Sequence, residues 1–124
     1  MQRTAIPAII LSVLFAVAGC EVAKRAARSP ETDALLRAAR AGNADTVRAL
    51  VASPNVDVNG LDEHGNTSLI EAARFGHDDV VTALLIAKAD INTKNDQGKT
   101  ALMLAAEGGH DETVRMLTQA GAAK

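Results

Sequence analysis

Thr67-Ser68-Leu69-Ile70-Glu71-Ala72-Ala73-Arg74-Phe75-Gly76-His77-Asp78-Asp79-Val80-Val81 and Thr100-Ala101-Leu102-Met103-Leu104-Ala105-Ala106-Glu107-Gly108-Gly109-His110-Asp111-Glu112-Thr113-Val114 are two copies of one pattern. Thr67/Thr100, Leu69/Leu102, Ala72/Ala105, Ala73/Ala106, Gly76/Gly109, His77/His110, Asp78/Asp111, Val81/Val114 and Leu84/Leu117 all recur at a spacing of 33 residues. The approach to each copy repeats as well. Asp57-Val58-Asn59 corresponds to Asp90-Ile91-Asn92, and Gly65 to Gly98. A weaker copy, Asp33 to Asn43, precedes them at an offset of 34, because Ser53-Pro54-Asn55 lengthens its loop by a residue. A fixed period of this length marks a stack of supersecondary units, none of which buries its apolar face alone.

Within each unit the residues specify two helices. Leu35-Leu36-Ala38-Ala39 and Val80-Val81-Leu84-Leu85 place apolar side chains at helical spacing. Ser29-Pro30-Glu31 reads as a helix start: a hydroxyl cap, proline at the first helical position, then an acid near the positive end of the helix. Gly42, Gly76 and Gly109 provide the turn between the two helices of each unit; Asn43, His77 and His110 follow directly, the histidines as caps of that turn, and acids open the second helices. Gly65 and Gly98 suit the tips of connecting β-turns. Polar replacements at the ends (Arg37 and Arg40 in the first unit, Thr118 and Gln119 in the last) suit terminal faces that meet water.

The pattern resembles the ankyrin repeat and its Thr-Pro-Leu-His-x-Ala-Ala-x-x-Gly-His signature, over roughly Pro30 to Lys124. The resemblance implies an all-α solenoid of about three helix-turn-helix repeats, near 30–61, 62–94 and 95–124, with short β-turn fingers. Two departures stand out: Thr67-Ser68-Leu69-Ile70 and Thr100-Ala101-Leu102-Met103 lack the family's histidine. Ile70 and Met103 are expected to fill its space by packing.

Residues 1–19 carry a different signal. Arg3 and the amino terminus form a small positive region, and Ala5 to Ala18 is an uncharged, mainly apolar run. That run is short for a membrane span of about 20 apolar residues and has the length of a signal-peptide core. It ends in Val17-Ala18-Gly19-Cys20, which resembles the lipobox of bacterial lipoproteins. The resemblance implies removal of residues 1–19 and lipidation of Cys20, the single cysteine. A buried thiol ending an uncleaved anchor helix, or a disulfide to another chain, are the alternatives. Residues 20–29 then form a short basic tether, with Lys24, Arg25 and Arg28 either solvated or resting on anionic headgroups. Glu21, where an aspartate would retain a lipoprotein in the inner membrane, favours the outer membrane. The expected location is the bacterial envelope, facing the periplasm.

Composition narrows the function. The formal net charge is −2 and no basic face appears, which argues against nucleic acid as partner. His77 and His110 are repeat positions, and His64, beside Asp62 and Glu63, has no companion ligands at metal-binding spacing. The glycines never form a phosphate-cradling loop ahead of a helix, and no nucleophile has a base partner. The expectation is a non-enzyme with no cofactor, no metal and no small-molecule substrate.

By the ankyrin resemblance, a protein partner binds the concave surface. Carried over by position, that surface comprises Glu63, His64 and Asn66 on one finger, and Asp96, Gln97 and Lys99 on the next. Arg40, Arg74, Phe75 and Glu107 lie at the adjoining helix ends. Phe75 is the sole aromatic residue after Phe15, and its counterparts are Ala41 and Gly108. It either anchors a partner, as exposed aromatics beside arginine do at interfaces, or packs locally. Two roles fit such a module: an adaptor or stabilising factor for an envelope protein, or an inhibitor or immunity-type protein that blocks an envelope toxin or hydrolase.

Overall fold

The computed structural model describes residues 28–122; the expectations for residues 1–19, for Cys20 and for the tether up to Ala27 lie outside them. Six helices follow one another: α1 (Pro30–Ala41), α2 (Ala44–Val51), α3 (Ser68–Phe75), α4 (Asp78–Ile86), α5 (Ala101–Glu107) and α6 (Asp111–Gln119). They pair as three hairpins, α1/α2, α3/α4 and α5/α6. The first helices α1, α3 and α5 stack side by side in one layer, and α2, α4 and α6 in a second. No strand occurs among the described residues. The fold is an all-α repeat solenoid.

Local chemistry explains the helix limits. Ser29, Thr67 and Thr100 cap α1, α3 and α5, their hydroxyls accepting from the N–H of Thr32, Ile70 and Met103. Each cap satisfies one of the N–H groups that a helix start leaves unbonded. Asp33, the position aligned with Thr67, sits inside α1 because Ser29-Pro30 begins that helix a turn earlier, and α1 runs 12 residues against 8 for α3. Gly42 and Gly76 end α1 and α3 at φ +79° and +71°, where a β-carbon would be strained.

The core is aliphatic. Leu35, Ala39, Val47, Ala72, Ala73, Val80, Val81, Leu84, Ala105 and Leu117 are fully buried. Alanine on the inner faces of α1, α3 and α5 lets these helices approach closely, so leucine and valine fill the seam against the second layer.

Three expectations need correction. His77 and His110 begin α4 and α6, but their side chains make no cap hydrogen bond. Each turns back to the preceding repeat instead, with Nε2 3.1 Å from the carbonyl oxygen of Arg40 and of Arg74 respectively. Asn43, with no hairpin before its own among the described residues, does cap α2 by accepting from Thr46 N–H. Ile70 packs as expected at 1% exposure, whereas Met103 is 40% exposed, since no described hairpin lies beyond the third. Gln119 does not mark a special outer face either: its counterpart Ile86 in the second repeat is already 75% exposed.

Candidate functional site

Two loops between hairpins form fingers, and each is folded by one side chain. In the first, the Asp62 carboxylate accepts the N–H groups of His64 (2.8 Å) and Asn66 (2.9 Å). In the second, Asn95, the residue 33 positions on, uses its Oδ1 to accept from Gln97 (2.9 Å) and Lys99 (3.0 Å). A backbone turn closes each finger, Gly65 N–H to Asp62 and Gly98 N–H to Asn95. The fingers are tied to one another as well. Asp96 N–H donates to the carbonyl of His64 (3.0 Å), and the Asn95 amide donates to Asn66 Oδ1 (2.9 Å). Sequence reasoning missed Asp62 and Asn95; their shared place before each finger glycine was the available signal, because Asx side chains fold such turns.

Below the first finger lies a buried polar network. Asp62, Asn66 and Glu71 are each no more than 4% exposed. Asn66 donates to Glu71 (3.0 Å), and the half-exposed Arg40 reaches across from the first repeat to Glu71 and Asp62, each contact 3.3 Å. Burial alone would push the Asp62 carboxyl up, but the N–H groups of Asn66 and His64 hold it below the ordinary carboxylate range. The hydrogen bond to Glu71 raises the Arg40 guanidinium in turn. Two carboxylates without water need this compensation.

An open groove of about 680 Å³ runs between the fingers and the ends of α3 and α5. His64, Arg74, Asp96, Gln97, Lys99 and Glu107 line it, as the repeat positions predict, with half-buried Leu104 among them. Lys99 pairs with Glu107 at 2.8 Å, so these two charges are satisfied across the groove.

The remaining predicted residues fall elsewhere. Asn66 borders the groove but is 4% exposed and spent on the network, so the expectation of a free surface side chain is wrong. Arg40 and Glu63 line a separate recess of about 320 Å³ next to Arg28 and Asp33. Arg40 is held by Glu71 and Asp62. Glu63 is held by Arg28 at 2.9 Å. Arg28 also bonds Asp33 and the Leu61 carbonyl, so this member of the expected tether is clamped onto the domain rather than resting on headgroups or in water. Phe75 is 45% exposed, with the Arg74 guanidinium 5.5 Å from its ring centre and the His77 ring 6.1 Å away. That stack positions Phe75 without burying it.

Among the described residues no helix is long and apolar enough to cross a membrane, and no group of side chains is arranged to hold a metal ion. Residues 9–95 match the family model for ankyrin repeats (3 copies), and residues 97–124 match that for the single ankyrin repeat. The stacked hairpins, the fingers and these matches agree: the chain belongs to the ankyrin-repeat family, a scaffold for protein–protein interaction.

Proposed function

We propose that this protein is a binding module of the bacterial envelope, held there by lipid on Cys20 and engaging a protein partner through the concave groove. Residues 1–19 act as the signal peptide and residues 20–29 link anchor to domain; the motif Val17-Ala18-Gly19-Cys20 supports this part. The observation that carries the binding role is the groove itself. It is open and lined by side chains from two braced fingers and two helix ends, and one of those side chains, Arg74, lies over the exposed Phe75 ring. Exposed aromatic surface beside arginine is the composition of interface hot spots. The role is that of an adaptor or stabilising factor which keeps a partner near the membrane.

The test is capture from envelope extract by the full chain in detergent, with Phe75→Ala and Gln97→Ala variants in parallel. A partner retained by the parent and lost by the groove variants is expected. A partner held equally by all three would place binding on another face. If capture blocks the partner's activity rather than preserving it, the chain is an inhibitor and not an adaptor.

A further inference from the structure

Arg40 and Arg74 hold the same place in successive repeats, near the ends of α1 and α3. Each gives its carbonyl oxygen to the histidine of the following repeat at 3.1 Å. Their guanidinium groups differ in fate. Arg40 meets Glu71 of the next first helix through two contacts, Nε to Oε2 and Nη2 to Oε1, both 3.3 Å. The residue 33 positions after Glu71 is Leu104. Arg74 therefore shares its groove with an apolar side chain at the position where Arg40 meets a carboxylate, and no ion pair forms on it among the described residues. Its cation lies over Phe75 and along the groove.

We infer that the groove selects an extended partner segment bearing one side-chain carboxylate, which takes over Arg74 the place that Glu71 takes over Arg40. The inference rests on the concave groove being the binding surface. Leu104 offers half-buried apolar footing for the stem of that side chain, and Phe75 offers it to a neighbouring apolar residue. Arginine suits the task because its planar fork matches a carboxylate through two parallel hydrogen bonds. The other groove charges limit the partner to a single acid at this point. Lys99 is already occupied by Glu107, which leaves Arg74 as the cation that meets the acid.

A random peptide library displayed on phage, selected against the full chain in detergent, supplies the probes; synthetic peptides then give affinities by calorimetry. Selected peptides are expected to share one Glu or Asp at a fixed distance from an apolar residue. Changing that acid to its amide should weaken binding about tenfold, as should Arg74→Ala. Leu104→Glu, which places a carboxylate where the first junction has Glu71, should close the site with a similar loss, with circular dichroism confirming that the variant is folded. Peptides without a shared acid, or indifferent to its amide, overturn the carboxylate selection. If such peptides still lose affinity with Asp96→Ala and Gln97→Ala, the groove reading stands alone; if they ignore every one of these variants, both readings fail.

Discussion

The His77 ring fills the space above Gly42, while its Nε2 lies 3.1 Å from the Arg40 carbonyl; a β-carbon on Gly42 would come within 2.7 Å of the ring. Glycine and histidine thus form a notch and a peg between neighbouring repeats, and Gly76 with His110 repeats the arrangement at 2.5 Å. Gly109 has the same left-handed backbone, at φ +73°, but nothing stands within 4 Å of its would-be β-carbon.

That contrast separates two costs. Gly109→Ala carries only the left-handed strain, about 1 kcal/mol, whereas Gly76→Ala must also displace His110 and should cost about 1 kcal/mol more or above. Chemical denaturation of both variants checks this. Equal losses would show that the ring contact contributes nothing.

Arg40→Ala should destabilise by about 2 kcal/mol, because Glu71 and Asp62 lose their countercharge while the half-exposed site still admits some water. Changing Glu71→Leu as well copies the second junction, where Leu104 stands, and should restore part of the loss. A double-mutant cycle with no coupling between the two sites would refute the network.

Acid should act through Asp62. Its carboxyl is depressed in the folded chain, so its contribution is present above the ordinary value near 3.8 and is lost as pH falls through the lower folded one. Melting temperatures measured from pH 5 downward should therefore fall less steeply for Asp62→Asn, which starts less stable, than for the parent. Parallel curves would remove Asp62 from the account.

Much of this was legible in the sequence. The period of 33, the turn glycines and the alanine pairs specify the hairpins because each solves a local problem that recurs unchanged. Seven of the ten predicted surface residues border the groove for the same reason, since position in the repeat dictates position on the surface. What escaped was the partnering of polar side chains. Nothing in the local sequence says that Asn66 turns inward to Glu71, that Arg40 crosses to the next repeat, or that His77 reaches backward instead of capping. Those choices depend on groups more than twenty residues away or on which acid happens to lie buried.

Phe75 separates the anchor from the local packing residue. With 45% of its surface exposed, Phe75→Ala should leave the melting temperature within a degree or two while weakening a captured partner by about 2 kcal/mol. Lower stability with unchanged affinity would make its stack with Arg74 and His77 purely structural.

Processing at Cys20 has a direct readout. Intact-mass analysis of membrane fractions should show loss of residues 1–19 and a diacylglyceryl addition, and Cys20→Ala should abolish lipid labelling. A mature chain that retains Met1 would sink the lipoprotein reading.

On the proposal that Cys20 carries lipid, the clamp of Arg28 on Glu63, Asp33 and the Leu61 carbonyl would make the anchor a leash of limited reach. With Cys20 as the lipid-bearing residue, seven residues lie between it and Arg28, and the eight steps of chain span at most about 28 Å when fully extended. The first finger can then stand no farther from the bilayer surface than roughly the thickness of the hydrocarbon core beneath it. On that proposal the domain would be a height gauge: it would meet only those proteins that present their binding segment within that layer, and a longer leash should admit others.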